Sequence, residues 1–208
     1  MEKILYIIIL ILLENNFYKN INTLYEPTSY DVLVNKNNKL EKNYIPNDLE
    51  LLDIKYSCKD KYLRKEAKKH FEEMAKNALK KGFNIIAVST YRSYNYQENL
   101  YNNYIKEKGY NYANLASARP GHSEHQTGLA VDVANETLDY DNFENTKEFN
   151  WMINNSYKYG FILRYPKAKF HITGFKYEPW HYRYVGINIA TYIYKNNITL
   201  EEYLLNNN

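Results

Sequence analysis

Ser117-Ala-Arg-Pro-Gly-His-Ser-Glu-His-Gln-Thr-Gly-Leu-Ala-Val-Asp132 is answered downstream by Glu178-Pro-Trp-His181, and together these two stretches decide how the chain reads. Arg119-Pro-Gly121 is turn-prone, so His125 rides on a loop that ends at Gly128. From Gly128 to Ala134 the character alternates with period two. Leu129, Val131 and Val133 face one way; Ala130, Asp132 and Ala134 face the other. This is a strand with one buried face, and Asp132 projects from the opposite face among small neighbours that leave space for a ligand or an ion. On a second strand, expected over 180–185, His181 and Arg183 share a face, while Trp180, Tyr182 and Tyr184 take the other.

Outward from this pair, helical and extended patterns mix. Leu63, Ala67, Phe71, Met74, Ala75 and Ala78 recur at helical spacing within 60–81, with Gly82 where the helix stops. Residues 84–90 read as a buried strand. Residues 95–108 return to helical spacing, with Leu100, Tyr104 and Ile105 as the apolar face and Gly109 as the stop. A further helix is expected over 147–159 before Gly160, a strand over 161–165, and closing helices over 188–195 and 200–205. Asp31-Val-Leu-Val34 reads as a short docking strand. Strict βαβ alternation is absent, so the pattern predicts an α+β fold with an antiparallel sheet flanked by helices.

Composition bounds the function classes. The 208 residues are 45% hydrophobic and 25% charged, enough for one globular domain with a proper core. The net charge of +3 is mild, and the lysines of 60–81 alternate with Glu66, Glu72 and Glu73. That is a solvated helix face, so no nucleic-acid partner is expected. Cys58 is alone, which excludes an internal disulfide and a cysteine metal cluster. Lysine is the default cation; the only arginines are Arg64, Arg92, Arg119, Arg164 and Arg183, and three of them (Arg92, Arg119, Arg183) lie in or beside the motif segments. Residues 1–14 hold the apolar run Ile4 to Leu13 behind Lys3. It is too short for a membrane span of roughly 20 residues but suits a signal peptide, either cleaved or kept as a short N-terminal anchor with membrane association. Export, to the cell envelope or the extracellular space, is therefore expected. Residues 15–55 read as a polar, Asn-rich linker, and 56–208 as the functional domain.

Two imidazoles and a carboxylate, His125, Asp132 and His181, suit a catalytic zinc, because three protein ligands leave a fourth position open for water. Glu178 is a spare carboxylate of the kind such a site needs to take a proton. Residues three apart on a regular strand face opposite sides, so Glu178 and His181 share a site only if Pro179 makes a turn before Trp180. No H-E-x-x-H or G-x-S-x-G pattern offers a competing chemistry. His70, His122 and His171 are read as structural.

Ser123-x-His125-x-x-Gly128-x-Ala130-x-Asp132, with Glu178-x-x-His181, resembles the VanY-type D-alanyl-D-alanine carboxypeptidases, and is similar to their dipeptidase and L,D-carboxypeptidase relatives. Ser89-Thr-Tyr-Arg-Ser-Tyr-Asn-Tyr-Gln97 resembles a further block of that family, so the likeness runs from about Tyr56 to Tyr194. The resemblance implies a hedgehog/D,D-peptidase-like zinc peptidase fold with one Zn(2+) held by His125, Asp132 and His181; the chain itself is expected to act as a monomer. It implies Glu178 as general base, Arg92 holding the substrate's carbonyl oxygen or carboxylate, and Gln97 and Ser123 fixing the terminal residue. Arg119 and Arg183 are left as supporting residues, and Trp180 as a wall of the pocket. The implied substrate is a peptidoglycan stem peptide ending in a D-amino acid. An L,D-bond in tetrapeptide stems and a non-catalytic envelope-binding module of the same fold stand as alternatives.

Overall fold

The computed structural model describes residues 17–207, so the apolar N-terminal segment expected as a signal or anchor lies outside the described residues. At its centre is a four-stranded sheet in the order β5 (Ile86–Ser89), β6 (Ala130–Ala134), β8 (His181–Tyr184), β7 (Phe161–Leu163), with every pairing antiparallel. Val131, Val133, Tyr182 and Tyr184 bury one face against helix α1 (Lys65–Leu79), whose Phe71 and Met74 are fully buried. The Phe71 ring meets Phe161 edge-on at 6.1 Å. A Phe→Ala truncation in such a place costs about 3–5 kcal/mol. The other face carries Asp132, His181 and Arg183. A second apolar cluster joins Ile162 and Val185 to Ala190 and Ile193 of a closing helix (Ile187–Asn196) and to Leu200 of the last helix (Leu200–Asn207). The α+β architecture with an antiparallel sheet is thus the observed one.

Several local expectations are corrected. The first helix starts at Lys65 rather than near Asp60, because Tyr62–Arg64 forms strand β4 and pairs antiparallel with β3, Leu49–Leu51. Leu63 fits the helical spacing by accident and is buried from this strand. Helix α2 (Tyr94–Lys108) buries Gln97 and Tyr101, not Leu100, Tyr104 and Ile105. Polar contacts set its rotation: Tyr101 donates to Asn114 Oδ1 at 2.6 Å on helix α3, Tyr110–Ala116. Asp31-Val-Leu-Val34 is not a strand, since the carbonyls of Tyr30 and Val32 accept from the Arg183 guanidinium at 2.9 and 2.8 Å instead of entering a ladder.

Residues 15–55, expected as a linker, are folded onto the body from Phe17 onward. Strands β1 (Asn22–Leu24) and β2 (Asn38–Leu40) pair in parallel, and Val34, Leu40 and Leu52 are buried. Lys36 is also buried; its Nζ donates to Asn114 O at 3.1 Å and faces the rings of Phe17, Tyr18, Phe170 and Phe175 at 5.2–5.9 Å. The β3–β4 pairing crosses the expected boundary at 55/56, so packing does not separate a linker from a domain there. Among the described residues, no helix is long and apolar enough to cross a membrane.

Gly128 couples this N-terminal layer to the sheet. At φ +69° it adopts the left-handed conformation, and a Cβ there would lie 2.8 Å from Leu49 Cδ2 and 3.0 Å from Arg64 Cγ. Its carbonyl accepts from Arg64 N at 2.9 Å. Nearby, His122 is buried with Nδ1 donating to Asn35 O at 2.8 Å and its ring edge-on to Tyr18.

Burial pulls the His122 imidazole down to about 4, outweighing the Asn35 carbonyl. The folded state therefore keeps the ring neutral while the unfolded chain takes up a proton below about 6.5. Stability is present above that value and lost as pH falls from about 6.5 to about 4, by up to ~3 kcal/mol. Urea unfolding at pH 7 and pH 4.5 checks this: His122→Gln should shrink the acid loss by about 2 kcal/mol or more. An equal loss in the variant would assign the acid sensitivity to other groups.

Candidate active site

The turn before β6 is built to aim His125. Ser123 caps the 3₁₀ turn Glu124–Thr127, its Oγ accepting from His125 N at 3.4 Å, and Gly128 closes the turn in the left-handed conformation. His125 Nδ1 lies 2.6 Å from the Thr90 carbonyl, which can only accept, so Nδ1 carries the proton. Nε2 is left with a lone pair, buried and without a hydrogen-bond partner, 3.2 Å from Asp132 Oδ2.

The β6–β8 register sets Asp132 directly opposite His181. Cross-strand partners share a face, and His181 Nδ1 lies 2.8 Å from Asp132 Oδ1. The His181 ring is stacked on Tyr165 at 4.9 Å and stands edge-on to His125 at 5.0 Å. One ligand atom from each of His125, Asp132 and His181 falls within 4.8 Å of the others. The fit to a metal rests on this donor set: an orphaned imidazole nitrogen, a carboxylate and a second imidazole nitrogen converge, as a three-ligand zinc site with one open position requires.

Glu178 reaches the same cleft by the turn its proline makes. Pro179 and Trp180 form a turn outside β8, and His181 N donates to Glu178 O at 3.2 Å. Glu178, Arg92, Gln97, Ser123 and Trp180 all line a cleft of about 410 Å³ with the three candidate ligands at its wall. Arg92 Nη2 is 3.9 Å from Asp132 Oδ2, and its buried Nε has no hydrogen-bond partner. Gln97 is buried, donating to Ser117 Oγ at 2.9 Å and Ala118 O at 2.8 Å, which leaves its Oε1 unpartnered.

The charges are strongly biased. Burial raises the Glu178 carboxyl to about 7, Asp132 adding to the effect while His181, Lys176 and Arg92 oppose it. Burial alone would lower His181, but hydrogen bonds to Asp132 and Glu124 lift it to about 9. His125 is lowered to about 4 by burial and then by Arg92. Asp132 is held well below the usual carboxylate range, its burial outweighed by the two histidines. The ionised Asp132 and the raised His181 show that the centre favours positive charge beside Asp132.

Glu124, Arg164 and Tyr165 were not among the residues singled out from the sequence. Glu124 lies inside the motif, between Ser123 and His125. Its carboxylate accepts from Arg164 Nε at 2.8 Å and Arg183 Nη1 at 2.7 Å, and its Oε2 is 3.3 Å from His181 Nε2. The two guanidiniums hold it far below the usual range against the opposing effect of burial. The scarcity of arginine was the available signal for Arg164. Arg119 is structural, over the Tyr18 ring at 3.7 Å and donating to Tyr110 and Asn114. His70 binds Glu66 and stacks on Tyr184, and His171 is exposed.

Residues 60–187 match the family model of VanY, D-alanyl-D-alanine carboxypeptidase. The bifunctional D-Ala-D-Ala dipeptidase and D-Ala-D-Ala carboxypeptidase VanXYC of Enterococcus gallinarum is 39% identical over 177 residues, covering 82% of this chain and 91% of its own. The solved LdcB LD-carboxypeptidase is similar with a TM-score of 0.80 at 42% identity, over 89% of this chain and 90% of that one. A vancomycin-resistance D,D-pentapeptidase VanY variant from a VanB-type cassette, solved in complex with Zn(II), gives a TM-score of 0.73 at 36% identity, over 84% and 98%. A family model spanning more than half the chain, with relatives matched over nearly their full length, shows the family: the chain belongs to the VanY D-alanyl-D-alanine carboxypeptidase family.

Proposed function

We propose that this protein is a zinc carboxypeptidase that removes the C-terminal D-amino acid from peptidoglycan stem peptides. The observation that carries the reading is the convergence of His125, Asp132 and His181 within 4.8 Å in the cleft that Glu178 lines. When bound, zinc supplies Lewis acidity that brings a water's pKa towards about 7. His125, Asp132 and His181 would hold the ion. Glu178, raised to about 7, is matched to accept the water's proton near neutral pH and to return it to the leaving amine.

Arg92 offers a rigid cationic fork for the substrate's carbonyl oxygen or terminal carboxylate, where negative charge builds. Gln97 Oε1, unpartnered and buried, can accept from an N–H of the terminal residue, and Ser123 lines the same cleft with a hydroxyl that can hydrogen-bond to it. Trp180 walls the cleft. Similarity to both D,D- and LD-carboxypeptidases keeps the L,D-bond of tetrapeptide stems as the second reading. A binding-only module fits less well, since it has no use for a carboxylate tuned to about 7 beside the ligands. The apolar run at residues 4–13 supports export, where such peptides are found.

Glu178→Gln should reduce turnover about 100- to 10,000-fold while leaving zinc content and the circular dichroism spectrum unchanged. The measurement is release of the terminal residue from tetra- and pentapeptide stems, identified by mass, and it also separates the two bond preferences. Turnover surviving intact would remove Glu178 from the proposed chemistry. Arg92→Lys keeps a cation but loses the planar fork, so kcat/KM should fall about 100-fold or more. An unchanged kcat/KM would mean that Arg92 does not contact the reacting end.

A further inference from the structure

The side of His181 that faces away from the candidate ligands is occupied by one group. Its Nδ1 meets Asp132 at 2.8 Å, and its Nε2 meets Glu124 Oε2 at 3.3 Å. An imidazole can present a lone pair at Nδ1 only if Nε2 carries the proton, so whatever accepts at Nε2 selects the tautomer. We infer that Glu124 is a positioning residue for the metal centre: its carboxylate accepts the His181 Nε2–H and thereby turns the Nδ1 lone pair towards His125 and Asp132. The inference rests on the metal reading given above and concerns how one ligand is held.

Glu124 is itself fixed by both of its oxygens. Oε1 takes the Arg164 and Arg183 donors, which leaves Oε2 to meet the histidine. Arg164 is clamped in turn by a bidentate pair with Glu201 of the last helix, at 2.9 and 2.7 Å. Arg183 is clamped by the backbone carbonyls of Tyr30 and Val32. Side chains of Glu124, Arg164 and Arg183 are fully shielded from solvent. The stacked Tyr165 ring restricts rotation of His181 from its face. The last helix and the N-terminal layer therefore converge on the orientation of a single imidazole.

A buried ion network can also be purely structural, and two isosteric variants separate the roles. Glu124→Gln keeps the volume but supplies a single acceptor oxygen for three donors, so one of them must face an NH2 group. Glu201→Gln disturbs the same Arg164 and touches nothing on His181. In competition with a chromogenic chelator, zinc should bind Glu124→Gln about 10- to 100-fold more weakly than the wild type. Glu201→Gln should bind zinc within about threefold of wild type while its thermal midpoint falls. Equal affinity of Glu124→Gln and wild type would overturn the inference, as would an equal weakening in Glu201→Gln. Should Glu124→Gln fail to fold, ¹⁵N NMR of the zinc-loaded wild type decides: a proton on His181 Nε2 supports the inference, and a deprotonated or metal-bound Nε2 overturns it. Wild-type protein that takes up no zinc would instead overturn the metal reading on which this rests.

Discussion

The antiparallel pairing of Ala130–Ala134 with His181–Tyr184 is the constraint on which both core and site depend. Its register puts Val131 opposite Tyr182 and Asp132 opposite His181. Because side chains alternate with period two, the alignment that buries Val131 and Tyr182 beneath the first helix also presents Asp132 and His181 side by side on the other face. A slip by one residue would invert every position at once, exposing the valines and burying the carboxylate. The hydrophobic effect, acting on residues that never touch a substrate, thus fixes the spacing of the candidate ligands. The turn that carries His125 joins the same frame, through Gly128 and the Thr90 carbonyl.

Behind that face lies an unusual concentration of buried charge. Taking Glu124, Arg164 and Arg183 out of water costs several kcal/mol per ion, and their mutual attraction repays this only where hydrogen bonds are nearly complete. Here Arg164 has three carboxylate contacts and Arg183 has its partners in Glu124 and three backbone carbonyls. Hydrophobic residues of the same volume could fill this space, but they could not accept a hydrogen bond from the His181 Nε2–H. The network is best understood as support for the site, with stability as the cost it must balance.

The sequence was most legible where a period met a stop. Leu129, Val131 and Val133 announced their strand, Gly109 and Gly160 ended their helices, and the histidine–aspartate spacing marked the centre. It was least legible where a tertiary contact replaces a local pattern. Val34, Leu40 and Lys36 sit among asparagines with no periodicity, so the packed N-terminal layer resembled a linker; its order comes from contacts with Arg183, Gly128, Phe170 and Phe175, far away in the chain. Leu63 fitted the helical spacing although it lies in the strand Tyr62–Arg64. Helix 94–108 turned Gln97 and Tyr101 inward because Ser117, the Ala118 carbonyl and Asn114 supply hydrogen-bond partners that an apolar-face rule does not count. Glu124 was passed over because charge next to a ligand reads as solvated until the two arginines that bury it are placed.

The proposed chemistry depends on one coordination sphere. X-ray absorption at the zinc edge of the metal-loaded protein tests it directly. The expected result is one ion per chain, with two imidazole nitrogens at roughly 2.0–2.1 Å and a carboxylate oxygen in the first shell, and loss of the imidazole signal in His125→Ala. A sulfur ligand, which only Cys58, Met1, Met74 or Met152 could provide, or a shell without imidazole would contradict it.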